Sequence, residues 1–205
     1  MYIPTLDNRI YTKPINLDIT NKCTLQCPTC IRQASWYDRK LYTDLTIEDL
    51  KKISETFSYI EFCGSQSDPI FHPNFIQFVF ILQMHKLDIH TAASHKKKEF
   101  YEEAFSVSGK NTTWIFGLDG LPKDSHKHRI NQDGEHLFEM MKLGRKMNVN
   151  IVWQYIVFKY NQNDIDTARK IAIDNNIEFK LSYSSRWSGE MSKLKPTFQN
   201  EPFYQ

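Results

Sequence analysis

Six short apolar runs alternate with helix-like segments along this chain, and that alternation restricts the fold more than any other feature. The runs occupy 14–20, 59–63, 87–91, 113–118, 150–158 and 178–183. After the first, Thr46 is placed to cap a helix whose Ile47, Leu50, Ile53 and Phe57 share one face. Further helices are predicted over 74–84 with Asn74 as cap, 97–105, 135–147, and up to 175 with Asn163 as cap. Strand–helix alternation with short connections implies right-handed crossovers and a parallel sheet. Six such units cannot close an eight-stranded barrel. The expected class is therefore α/β: a partial (βα)6 TIM-like barrel, an open parallel sheet with outer helices. Ligands of such sheets sit beyond the carboxyl ends of the strands. Residues 1–187 read as this one domain, and 188–205 as a polar, irregular C-terminal tail with Phe198, Phe203 and Tyr204 interspersed.

A chain of 205 residues with 40% hydrophobic content can bury a real core. The formal charge of +2 argues against a dedicated nucleic-acid binder. No apolar stretch is long enough to span a membrane, and the first residues lack the basic and apolar regions of a signal peptide. The expected compartment is the cytoplasm, where thiols stay reduced. Four cysteines, at 23, 27, 30 and 63, are too few for a disulfide scaffold and allow at most one cysteine-ligated cluster.

Three of those cysteines share one loop, Cys23-Thr-Leu-Gln-Cys27-Pro-Thr-Cys30, directly after the first strand. Ordinary ferredoxin-type clusters use four cysteines. Three thiolates can hold three corners of a cubic iron–sulfur cluster and leave one iron open to another ligand. The competing use of such a loop is zinc, which wants four ligands and finds one C-x2-C pair here, Cys27 and Cys30. Cys63, at the end of the second run, reads as a core residue.

The C-x3-C-x2-C loop resembles the signature of the radical S-adenosylmethionine (radical SAM) enzymes, and the likeness continues at later strand ends. Gln66-Ser67-Asp68-Pro69 stands where relatives carry a Gly-Gly-Glu-Pro-like turn that binds the SAM amino group. Thr91-Ala-Ala-Ser94 stands where relatives often read Thr-Asn-Gly, so Thr91 and Ser94 are candidates for SAM's ribose or carboxylate; capping a helix is the other use of Ser94. Leu118-Asp119-Gly120 resembles a Ser-Leu-Asp-Gly turn, with Gly117 in place of the serine. The resemblance gives Arg129 the SAM carboxylate, and Asp119 the orientation of Arg129 or of a substrate group. Gln154 within the fifth strand and Ser184 after the sixth are candidate cofactor contacts. Lys159 and Arg186 are candidates for an anionic or polar substrate. The family implies a 4Fe-4S cluster on Cys23, Cys27 and Cys30, SAM as cofactor, and reductive cleavage of SAM to a 5′-deoxyadenosyl radical that abstracts hydrogen from a peptide, protein or small metabolite. It implies a reductant such as flavodoxin or ferredoxin. With no cysteine after Cys63, the chain resembles a minimal core without an auxiliary-cluster domain. A degenerate member that senses redox state or SAM, and a zinc-stabilised α/β binding module, are the alternatives.

Overall fold

The computed structural model describes residues 13–28, 30–34, 38, 43–185 and 187–197. The candidate Arg186, the first residues on which the signal-peptide reading rests, and the tail from 198 onward lie outside the described residues. Six parallel strands form one sheet: β1 (Ile15–Leu17), β2 (Tyr59–Phe62), β3 (Lys86–Thr91), β4 (Thr112–Gly117), β5 (Asn150–Val157) and β6 (Glu178–Tyr183). Each strand pairs with its successor in sequence, and β1 and β6 remain separate edges. Helices α1 (Ile47–Thr56), α2 (Phe75–Ile81), α3 (Lys98–Ser106), α4 (Gly134–Lys146) and α5 (Ile165–Asp174) fill the five crossovers. This is the open (βα) barrel that the alternation predicts. None of the described helices is long and apolar enough to cross a membrane.

Strand periodicity divides the sheet into two faces. Phe62, Trp114 and Trp153 belong to the outward set and are fully buried. Helix side chains meet them there: Phe75 and Phe78 of α2 against Phe62, Phe105 of α3 edge-on to Trp114 at 5.0 Å, and Phe138 of α4 against Trp153 at 5.4 Å. Such offset and edge-on pairs add to simple burial. The alternate residues, among them Glu61, His90, Ile115 and Gln154, are only partly buried or face the cavity at the strand ends. Gly144 sets how closely α4 lies on the sheet, because a Cβ there would come within 2.5 Å of Ile151 Cδ1.

Helix boundaries follow local chemistry. The Thr46 hydroxyl accepts from Asp49 N at 3.1 Å, and Asp133 caps α4 by accepting from His136 N at 2.9 Å. Asn148 and Asn176, at φ 60° and 55°, take the left-handed conformation that ends a helix just past α4 and α5. Three expectations shift. Helix α2 stops at Ile81 rather than 84, and neither Asn74 nor Asn163 supplies a cap hydrogen bond; α5 starts after Asp164. A 3-10 stretch, Gly189–Leu194, follows β6 within the segment expected to be an irregular tail. It is tied to the loop after β5: Lys159 N donates to Leu194 O at 2.8 Å, and Thr197 N to Gln162 Oε1 at 2.8 Å.

Trp153 also donates through Nε1 to Leu118 O at 2.7 Å. Trp153→Ala is expected to cost about 3–5 kcal/mol in urea unfolding. A loss below about 1 kcal/mol would show that the outer aromatic layer is not the core.

Candidate functional site

Parallel strands all finish on the same rim, and the cysteine loop begins there, six residues beyond β1. Its path is fixed by neighbours. Gln26 N donates to Ile130 O at 3.1 Å, Asn131 Nδ2 to Thr24 O at 3.2 Å, and Asp68 N to Lys22 O at 2.9 Å. Inside the loop, Arg32 donates to Cys23 O at 3.2 Å and to Leu25 O at 2.9 Å. The three cysteines are free, half-buried, and open on one cavity of about 190 Å³. Arg32, Arg129 and Gln154 also line it, with the ends of β2, β3 and β4. A second cavity of about 450 Å³ shares Cys27, Cys30, Arg129 and Gln154 with the first and runs on to Ser182, Ser184 and Met191.

Burial governs the thiols. It pushes Cys23 up to about 12, with the charge of Asp68 adding to the effect, and it raises Cys27 against the opposing pull of Arg129. Thiolates in this loop therefore need positive charge beside them. Among the described residues no three His, Cys, Asp or Glu side chains are grouped to hold one metal ion. Three thiols spread around a cavity suit a multi-iron cluster better than a single zinc.

Asp68 is brought to the site but given a different task from the one the resemblance suggests. It is fully buried, and its carboxylate accepts from Thr91 Oγ1 at 2.8 Å, Ala92 N at 2.8 Å, Ala93 N at 2.9 Å and Ile70 N at 3.3 Å. Those four donors fill the lone-pair positions of a carboxylate, leaving none for a ligand ammonium. Asp68 instead clamps the turn after β2 to the end of β3. The glycines missing from this turn carry no backbone penalty, because neither Gln66 nor Ser67 has a positive φ. Ser67 lines the first cavity and donates to Asp18 Oδ1 at 3.2 Å; Gln66 gives its backbone N–H to the same oxygen and lines neither cavity.

Thr91 lines the first cavity. Ser94 caps no helix: its hydroxyl accepts from Asp133 N at 2.7 Å and fastens the start of α4. Ser184 lies on the second cavity, while Lys159 is exposed and borders neither. Asp119 is fully buried and stands behind Arg129 rather than on a cavity wall. Its Oδ2 is 2.8 Å from Arg129 Nε, whose hydrogen is not well aimed at it, and 3.3 Å from His128 Nδ1; its Oδ1 accepts from Ile156 N at 3.0 Å. Burial alone would raise the Asp119 carboxyl, but Arg129 and His128 outweigh it and hold it below the usual carboxylate range. Gly117 makes the room: a Cβ there would lie 2.6 Å from an Arg129 terminal nitrogen. A serine at this position would collide with the guanidinium as it lies here.

Four participants escaped the sequence reading: Arg32, Asp18, Gln132 and His90. Gln132 donates to Ala92 O and Gly117 O and so ties β3 to β4 at the cavity wall, and His90 lines the cavity from β3. None lies in a recognisable motif; Asp18, one residue past β1, and His90, within β3, have positions that strand periodicity could have marked.

Because the folded Asp119 titrates below the ordinary value of about 3.9, its contribution is complete above that value and is lost as the pH falls through the lower, folded one. Asp119→Asn is expected to cost about 3–5 kcal/mol at neutral pH. In urea unfolding the gap to wild type should narrow only below about pH 4. A gap that has already closed at about pH 6 contradicts the pairing.

No protein-family model matches the chain, and no curated protein matches it in sequence. Solved structures do match in fold. SuiB of Streptococcus suis bound to S-adenosylmethionine superposes with a TM-score of 0.72 at 16% identity, covering 90% of this chain and 43% of SuiB. SuiB bound to its precursor peptide SuiA gives 0.69 at 17% identity, covering 90% and 42%. The enzyme anSMEcpe with bound AdoMet gives 0.63 at 12% identity, covering 93% and 54%. The chain thus spans less than half the length of SuiB. What these superpositions establish is that the chain has the open, TIM-like barrel fold of the radical SAM enzymes.

Proposed function

We propose that the protein is a radical SAM enzyme built on a single 4Fe-4S cluster held by Cys23, Cys27 and Cys30. The observation that carries this reading is three thiols of one loop opening on one cavity at the carboxyl rim of a radical SAM barrel. With SAM on its open iron, such a cluster supplies reductive cleavage of SAM to methionine and a 5′-deoxyadenosyl radical, which takes a hydrogen atom from the substrate.

The chain's own residues bind, orient and exclude water. Arg129 faces the cavity over Gly117 and suits a carboxylate, and Asp119 holds it there. Since the Asp68 carboxylate is filled, backbone carbonyls of the 64–68 turn are left to receive SAM's amino group. Thr91, Ser67 and Gln154 present polar groups on the same walls. The second cavity, with Ser182, Ser184 and Met191, is the substrate side. The 188–197 segment works as its wall rather than as a separate tail, since Met191 lines it. SuiB and anSMEcpe have both been solved with peptides, which favours a peptide or protein substrate over a small metabolite. A cytoplasmic setting with flavodoxin or ferredoxin as reductant fits cysteines that must stay reduced. A SAM- or redox-sensing protein without turnover is the second reading, favoured by the altered Gln66–Asp68 turn.

Reconstituted without oxygen and given dithionite and SAM, the protein is expected to form 5′-deoxyadenosine. Cys27→Ala should abolish it, and Arg129→Met should raise the KM for SAM about 10- to 100-fold through loss of a charge-assisted contact. A cluster that binds SAM without forming 5′-deoxyadenosine selects the sensor. Turnover surviving in Cys27→Ala overturns the cluster assignment.

A further inference from the structure

We propose that Arg32 is the internal counter-ion of the cysteine loop, a positioning residue that holds the Cys23–Leu25 turn and offsets the negative charge gathered at the three thiolates. The inference rests on the iron–sulfur reading above. Arg32 lies on the 3-10 turn Ile31–Gln33, directly after Cys30, and is 7% exposed. Its terminal nitrogens grip Cys23 O and Leu25 O, both neutral acceptors, at 3.2 and 2.9 Å. Its Nε is buried with no partner.

A guanidinium cannot shed its proton, and burying its charge unpaired is unfavourable. Arg129, the other cation on the cavity, has Asp119 beside it. Among the described residues no carboxylate pairs with Arg32. The anionic groups that share its cavity are the three cysteines and Asp68, and all four donors reaching the Asp68 carboxylate come from elsewhere. Three thiolates around a cubic cluster leave a net negative charge, which one-electron reduction increases. A fixed cation there favours the loaded loop over the empty one, and the reduced cluster over the oxidised one.

The test compares wild type with Arg32→Lys and Arg32→Gln after anaerobic loading with iron and sulfide. Iron per chain and the midpoint potential from an EPR-monitored titration are read, with circular dichroism melts of the cluster-free proteins as a check on folding. Arg32→Lys, which keeps the charge, should hold iron and stay near the wild-type potential. Arg32→Gln, which keeps donors but loses charge, should lower the reduced-to-oxidised ratio at least tenfold at fixed potential, a shift of about 59 mV, or fail to hold iron where Arg32→Lys holds it. Equal potentials in Gln and wild type, or Lys as impaired as Gln, overturn the role. So does an Arg32→Gln chain that cannot fold without the cluster while Arg32→Lys can, since the charge would then serve the polypeptide alone. Wild type that takes up no iron overturns the cluster reading itself, and this inference with it.

Discussion

Everything at the rim depends on six strands running the same way. Parallel pairing in sequence order, β1 to β6, sends every strand end to one edge of the sheet. The helices take the outward face, with its aromatic layer around Trp114 and Trp153. The opposite face is left open, and β1 and β6 do not meet. A closed barrel fills its interior with packed side chains; here the space at the strand ends becomes two adjoining cavities instead.

Buried charge ties the rim together. Asp68 gathers four donors and locks the β2 turn onto β3. Asp119 gathers Arg129, His128 and Ile156 N and locks the loop after β4 onto β5. Tyr160 adds a hydroxyl to Asp119 O at 2.6 Å, and Gln132 joins the ends of β3 and β4. Each clamp is costly to bury and is repaid only when all its hydrogen bonds form. Asp68, Thr91 and Arg129 belong both to these clamps and to the wall of the first cavity. Arg32, Arg129 and the three thiols line that same cavity.

The sequence announced the strand order and the cysteine loop because both depend on local pattern: period-two apolar runs, and three cysteines at short spacing. Thr91, Ser67, Arg129 and Gln154, named as candidate cofactor contacts, do line the cavity. Nothing in the sequence signals the hydrogen bonds that fill Asp68, whose donors lie at the end of β3 and just past it, some twenty-five residues away. Ser94 went the same way, captured by Asp133 N rather than by its own helix. Gly117 looked like a lost hydroxyl, and only the position of Arg129, twelve residues later, explains it. Arg32 carried no signal at all, since a lone arginine after a cysteine is ordinary until its burial and its two carbonyl partners are known. Lys159 illustrates the reverse: a charged residue just past a strand end is exposed and lines neither cavity.

The central claim is that Cys23, Cys27 and Cys30 hold a cluster with one iron open to SAM. The direct test is anaerobic purification with iron, sulfide and zinc measured per chain, and EPR of the reduced protein before and after SAM is added. The account predicts about four irons with matching sulfide and a signal that shifts on adding SAM. Stoichiometric zinc without iron, or a cluster signal indifferent to SAM, contradicts it.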